Sequence, residues 1–461
     1  LSQADLMAPV GPDRMTRDEW RAGTSLASIF ALRMLGLFLL LPVFALHART
    51  LPGGDNLTLV GLALGAYGLT QAVLQIPFGV ASDRVGRKKV IVAGLLLFIA
   101  GSLVGAVAED VVTLVVARCL QGAGAISAAV TALAADLTRE QHRTKVMAMI
   151  GSSIGLVFAG SLVLAPLLYN GIGMDGMFAL IAALGLAAVL VVWRLVPAPP
   201  LLLTAVRRAS LGEVARDGQL LRLNFGVFAL HLIQMAMWVA VPAALLNAGG
   251  LPLASHWQVY LPVVLVSFAL MVPAIIQAER KGRMKQVFLS AIGLLLAAQL
   301  GFMLGYESMA VVIAMLLVFF VAFNIMEASQ PSLVSRLAPP EAKGAALGIY
   351  NTVQSLGAFL GGTLGGVFGQ HFGAVGVFGL CAAVALIWLL VALGMKAPPV
   401  LASREVPIDA GVDLEGLRQK LTSLPGVREA IVVPERRVAY IKLYKERCDE
   451  QRLQEILEGR A

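Results

Sequence analysis

Twelve stretches of mostly apolar residues follow one another along this chain, at approximately 24–47, 57–81, 89–108, 111–135, 145–169, 173–193, 222–247, 257–278, 286–305, 309–333, 344–369 and 374–395. Each is close to the roughly 20 residues a helix needs to cross a bilayer. Helix is the form that satisfies its own backbone N–H and C=O groups where no water can. The alternating segments of about ten residues that build a membrane barrel are absent from the pattern. Only 14% of the residues are charged and the mean hydropathy is +0.82, whereas a soluble domain is about 25% charged. Such a chain cannot cover its surface with polar groups, so lipid is its main solvent.

The connections alternate in charge. Those after even-numbered spans hold Arg84, Arg87, Lys88 and Lys89; Arg139, Arg143 and Lys145; Arg194, Arg207, Arg208, Arg216 and Arg222; Arg280, Lys281, Arg283 and Lys285; and Arg336 and Lys343. Those after odd-numbered spans hold Arg49 alone. Cytoplasmic loops collect Lys and Arg, so both termini are expected in the cytoplasm. The first residues are polar, with no short apolar core before a small-residue cleavage site, so no removable signal peptide is expected. Met7 or Met15 is a candidate natural start.

A connection at 194–221, with prolines at 197, 199 and 200, divides the spans six and six. The halves echo one another. DRVGRKK (83–89) follows span two and ERKGRMK (279–285) follows span eight, with acid, Arg, Gly, Arg and final Lys in register. An internal repeat of this kind in a membrane chain points to a transporter built from two related halves. The expected organisation is a cytoplasmic segment 1–23, a six-helix half 24–193, a linker 194–221, a second half 222–395, a linker 396–405 and a soluble domain 406–461. In that last domain VPID reads as a short strand, DLEGLRQKLTSL as a helix, EAIVVP and RVAYIKLY as strands around Glu435–Arg436, and CDEQRLQEILEGR as a second helix. The order βαββα predicts a small α+β, ferredoxin-like domain. The fold class is therefore an all-α membrane protein of twelve transmembrane helices with an α+β tail.

Three motifs carry a family resemblance. GVASDRVGRKK (79–89) resembles the loop motif G-x-x-x-D-(R/K)-x-G-(R/K)-(R/K) of the major facilitator superfamily, with Gly79, Asp83, Arg84, Gly86, Arg87 and Lys88 fitting. RCLQGAGAISAAV in span four resembles the R-x-x-Q-G-x-G signature of its proton-coupled antiporters through Arg118, Gln121, Gly122 and Gly124. GSSIGLVFAG in span five resembles the antiporter pattern G-x-x-x-G-P-x-x-G-G at Gly151, Gly155 and Gly160, but Leu156 and Ala159 depart from it. With ALRMLG (31–36), YGLTQAV (67–73), MKQVF (284–288) and the tail, the chain is similar to the YajR-type transporters over roughly 15–461. The resemblance implies a multi-pass protein of a bacterial inner membrane that moves small amphipathic molecules by alternating access, driven by protons.

It also implies a latch. Asp83 would meet the N-terminus of helix eleven near Lys343–Gly344, where the helix dipole favours an anion. Arg87 would bridge Asp83 to Asp136, holding the halves shut on the cytoplasmic side until Asp136 takes a proton. The bland alternative is that the loop only sets topology.

Polar residues inside the spans mark the candidate cavity. Arg118 must face a wet or paired interior, since a charge at mid-bilayer costs at least about 2.5–3.5 kcal/mol; with Gln121 it is read as tuning a proton carrier, the alternative being a structural pairing. Arg33 either snorkels, pairs structurally or lines the cavity. Tyr67, Gln71 and Gln75 share one helical face at i, i+4, i+8. Asn224, His231 and Gln234 lie in span seven, Asn324 and Glu327 in span ten, and Tyr350, Asn351 and Gln354 in span eleven. His231 and Glu327 can carry protons. Each of these polar groups could instead serve as an interhelical hydrogen bond. A mostly neutral set disfavours strongly anionic compounds. The glycine run GAFLGGTLGG (357–366) suits close helix packing.

Other classes fit less well. Cys119, Cys381 and Cys448 have no metal-ligand spacing, the tail loop AGVD (410–413) has no Cys-x-x-Cys, and no phosphate-binding G-x-x-x-x-G-K-(S/T) loop is present. No nucleophile–base pair suggests an enzyme, and neither metal, cofactor nor nucleic acid is expected. The partners expected are lipid, protons and a small-molecule substrate, with a regulatory ligand or a second copy of the chain at the tail. Proton symport of a nutrient, and a transporter-like sensor signalling through the tail, are the competing functions.

Overall fold

Thr16 starts the first helix by reciprocal capping: its hydroxyl accepts the Glu19 N–H, and the Glu19 carboxylate accepts the Thr16 N–H. Helix α1 therefore begins at Arg17 rather than near 24. The structure, a computed structural model, describes residues 15–197, 216–338, 343–396, 401–408, 416–433, 438–444 and 450–457. Met15–Lys396 forms one compact unit and the chain from Ala397 belongs to another.

In the first unit α1 (Arg17–Phe38) and α2 (Leu41–Ala48) make span one. They are followed by α3 (Leu57–Val85), α4 (Arg87–Ala106), α5 (Val111–Ala123), α6 (Ser127–Asp136) and α7 (Glu140–Arg194). The second half holds α8 (Gly218–Gly249), α9 (Trp257–Arg280), α10 (Met284–Gly305), α11 (Met309–Leu337) and α12 (Lys343–Leu393). Ten helical runs among the described residues are long and apolar enough to cross a membrane. Two of them are 50 residues long, about 75 Å at 1.5 Å per residue, far more than a hydrocarbon core of about 30 Å. Each is interrupted by a glycine at positive φ, Gly173 at 66° in α7 and Gly373 at 64° in α12, and so divides into two helices of crossing length.

Span four is not one helix, as 111–135 predicts. It breaks between Ala123 and Ser127, where Gly124 passes so close to α4 that a Cβ on it would lie 2.4 Å from the Gly94 carbonyl oxygen.

The halves meet through glycine. A Cβ on Gly61, Gly65 or Gly68 of α3 would lie 2.3–2.5 Å from the carbonyl oxygens of Gly362, Phe359 or Ser355 on α12. On the other side of α12, Gly357 and Gly361 are as close to the Phe228 and Leu232 oxygens of α8. The run 357–366 thus lets one helix lie backbone to backbone against two neighbours. Phe158 of α7 adds ring contacts to Phe320 and Phe323 of α11. Toward the other end the helices separate. Gly344 and Gly348 on α12, and Gly151 and Gly155 on α7, have nothing within 4 Å of an added Cβ, and Leu156 is 76% exposed.

Both halves finish alike. Lys88 Nζ donates to the Val196 oxygen (2.5 Å) after α7, and Lys285 Nζ donates to the Leu393 oxygen (3.3 Å) at the end of α12. Cations there complement the negative end of a helix.

The second unit is an antiparallel sheet in the order β1-β3-β2, with β1 (Leu401–Pro407), β2 (Val427–Val433) and β3 (Val438–Tyr444). Helices α13 (Leu417–Ser423) and α14 (Glu450–Leu457) share with it a core of Leu417, Leu421, Ile441, Leu443 and Leu453. The first strand starts at Leu401, ahead of the expected 406. The AGVD loop, Glu435–Arg436 and Cys448 lie outside the described residues.

Candidate functional site

The structure gathers the sequence candidates into three clusters. The first sits at the loop between α3 and α4. Gly86 there has φ +109° and Gly282, its counterpart in the second half, +65°, conformations that favour glycine. The turn brings Arg87 back onto α3: its guanidinium bonds Asp83 and donates to Ser82 Oγ at 2.8 Å. Its Nε donates to Asp136 Oδ2 at 3.1 Å, reaching the end of α6. Arg84 is exposed. Lys88 does not join the acids, since it caps Val196. Gly79 faces Ala128 of α6, with 3.4 Å to an added Cβ.

Two further contacts here were not anticipated. Ser82 needed its helical phase to be known. Glu19 of α1 binds Arg139 through Nε and Nη2, each at 2.9 Å, and through the backbone N–H at 3.0 Å. An acid just ahead of the expected first span is the available signal.

The second cluster lies inside the first half. Arg33 is 0% exposed and Arg118 1%, so Arg33 does not snorkel. Both guanidiniums sit over the Tyr67 ring, at 5.7 and 5.0 Å from its centre, and Arg118 also lies 5.9 Å from that of Phe44. Arg33 donates to Gln71 Oε1 (3.3 Å) and Ser127 Oγ (3.5 Å). Arg118 donates to Gln121 Oε1 (2.8 Å), and Gln121 Nε2 to Ser102 Oγ (2.9 Å). The motif glycines explain the approach. A Cβ on Gly122 would lie 2.1 Å from the Tyr67 backbone carbonyl oxygen, so only glycine lets α5 carry Arg118 against α3. Gln75, one turn beyond Gln71, is buried with both amide atoms unpartnered.

The third cluster lies in the second half. His231 Nδ1 donates to the Val227 oxygen at 3.0 Å, which leaves Nε2 as the acceptor of the neutral ring. Gln354 Nε2 approaches that atom at 2.7 Å and Glu327 Oε2 at 3.6 Å. Phe323 packs edge-on to the imidazole. Tyr350 is buried nearby in sequence, its hydroxyl without a partner. Asn324 is taken up by Ser267 of α9 (2.9 Å). Asn224 and Gln234 are buried on α8, and Asn351 is half-buried on α12, its carbonyl accepting from Ser355.

The family model described as Major Facilitator Superfamily matches residues 26–362 and 223–436. The chain belongs to this superfamily. Members are membrane transporters, and this one is a multi-pass secondary transporter by fold and family. The Escherichia coli inner membrane transport protein YajR is 42% identical over 435 residues, covering 93% of this chain and 95% of its own. The multidrug resistance protein MdtH of Aeromonas salmonicida is 25% identical over 333 residues, 71% of this chain and 82% of its own. The fold also matches two solved superfamily-like structures. The human organic anion transporter MFSD10 has a TM-score of 0.61 at 19% identity, over 82% of this chain and all of its own. A bacterial homologue of the lysosomal transporter Spinster, inward-facing and occupied, has 0.64 at 13% identity, over 82% of this chain and 96% of its own. At these identities the two structures speak to the fold alone.

Proposed function

We propose that this chain is a proton-driven antiporter of the bacterial inner membrane that exports small amphipathic compounds by alternating access. The observation that carries the proposal is the meeting of His231, Glu327 and Gln354. A carboxylate and an imidazole nitrogen face each other across 3.6 Å, inside a span where ionisable groups are functional by default. With His231 neutral, its Nε2 accepts from Gln354. A proton added at Nε2 turns the ring into a double donor, draws Glu327 in as counter-ion, and requires the Gln354 amide to turn its oxygen inward. Proton occupancy is thereby linked to the facing of α8, α11 and α12.

The loop cluster acts as the latch. Arg87 ties the loop to α6 through Asp136, and Asp83 at the membrane face engages the start of α12 when the halves close at that end. Protonating Asp136 loosens it. Both termini lie in the cytoplasm on the Lys/Arg bias of the loops, with the latch on that side. The efflux direction draws on the span-four motif and on the drug-resistance name of the MdtH relative. The tail, with its β1-β3-β2 sheet, is a ferredoxin-like domain that binds a regulatory ligand or a second copy.

The test is proton flux in proteoliposomes holding the purified protein under an imposed pH gradient, with a panel of amphipathic compounds. Proton movement opposite to the compound supports antiport. Movement in the same direction makes it a symporter, and silence across the panel with folded protein favours a sensor acting through the tail.

A further inference from the structure

Two buried cations share one aromatic ring in the first half, and among the described residues no carboxylate pairs with either. Among the described residues, the hydrogen bonds that Arg33 and Arg118 donate go to neutral oxygens, of Gln71, Ser127 and Gln121. Among the described residues neither forms a salt bridge, and Arg33 Nε, Arg118 Nε and Nη2 and the Tyr67 hydroxyl have no partner. A guanidinium cannot shed its proton, so burial leaves the charges in place. The Tyr67 and Phe44 faces offset part of that cost through cation–π attraction. What remains unmet around Tyr67 is specific in kind: unpartnered N–H donors of two fixed positive charges, beside a phenol that can also donate. Such a set lacks a negatively charged acceptor. A carboxylate suits it, because its two oxygens match the planar fork of a guanidinium. The rings already present offer apolar faces to the body of the same molecule.

The geometry points to an anion subsite, in which Arg33, Arg118 and Tyr67 bind the carboxylate of an organic acid, so that the compounds transported are amphipathic anions. This inference rests on the transport reading above and replaces the expectation of a neutral cavity. It does not rest on proton coupling. The anion subsite lies on α1, α3 and α5, while His231, Glu327 and Gln354 lie on α8, α11 and α12, so substrate charge and proton occupy different halves.

The test is equilibrium binding to the purified full-length protein in detergent, by calorimetry, with no gradient applied. Benzoate and octanoate are compared with their neutral counterparts benzamide and octanamide, with chloride titrated separately. At least one acid is expected to bind 10-fold or more tightly than its amide. Arg118→Gln and Arg33→Gln should each weaken the acid by about 10–100-fold, in line with loss of a charge-assisted bond, and weaken the amide far less, so that the acid-over-amide preference collapses. Should either variant fail to fold, Arg118→Lys and Tyr67→Phe take its place, and each is expected to weaken the acid several-fold at an unchanged unfolding midpoint. Equal binding of acid and amide, binding of none of the four probes, or displacement of the acid by chloride at equal concentration would overturn the inference, the last marking an inorganic ion site. Because no gradient is used, failure here leaves the proton-flux test standing, and a negative flux result leaves this one standing.

Discussion

Arg87 Nε lies 3.1 Å from Asp136 Oδ2 while the rest of the same guanidinium holds Asp83 and Ser82. One side chain at the start of α4 therefore gathers the ends of α3 and α6. The three charged groups are partly exposed, 20–30% by side chain, so the network is modest in energy and reversible.

Removing one acid should shift conformation without unfolding the protein. Asp136→Asn loses a partly exposed ion pair, worth about 1 kcal/mol, which caps the change in population at about fivefold, reached if the bond tightens fully only in the closed arrangement. The expected direction is toward the state open at the loop end. Faster thiol labelling at Leu156→Cys, with slower labelling at Val60→Cys, is the signature, and unchanged rates at both sites would remove Asp136 from the latch.

Glu327→Gln keeps the shape of the third cluster and removes its acid. Proton movement coupled to substrate should fall on the order of tenfold or more, while equilibrium binding of substrate persists. Full proton-driven flux in this variant would exclude Glu327 as the carrier.

Two glycines should fail for opposite reasons. A Cβ on Gly61 meets the Gly362 carbonyl at 2.3 Å, and backbone cannot step aside as a side chain can. Gly61→Ala should cost about 1–3 kcal/mol of overpacking and raise labelling from the far end. Gly86 has open space but φ +109°. Gly86→Ala should cost about 1–3 kcal/mol of backbone strain, read as a lower unfolding midpoint with interface labelling unaltered.

Gly344→Ala is the control for both. Its surroundings are open and its helix continues through it, so alanine should be neutral or stabilise by about 0.4–1 kcal/mol. A destabilised Gly344→Ala protein would mean that the loop-end separation of α3 and α12 is not the resting arrangement.

Much of this architecture was legible in the sequence because lipid imposes length and charge rules on every span. The two half-repeats, the loop acids and the face shared by Tyr67 and Gln71 follow from spacing alone. What spacing could not give is helix rotation. A helix that is apolar on all sides carries no stripe to say which face meets which neighbour. Hence spacing presents Arg33 and Arg118 as separate residues of separate spans, and their convergence on Tyr67 follows only from the close approach at Gly122. The break at Gly124 is hidden for the same reason: the residues on both sides, CLQGA (119–123) and SAAV (127–130), suit a helix, and only the nearness of Gly94 shows why the chain bends. The neighbours of Lys88 in sequence place it with the latch, yet its reach takes it to the carbonyl of Val196 instead.

The contact between α3 and α12 is made by backbone against backbone, with glycine on both sides. Helices normally lock by setting ridges of side chains into grooves, and a crossing of that kind must climb out of one register to enter another. Along Gly61, Gly65, Gly362 and Gly366 there are no ridges to climb. The joint has the build of a plain bearing: it holds the two halves close while setting few side-chain ridges against roll, so a seam of close backbone contact is also a line about which the halves can turn.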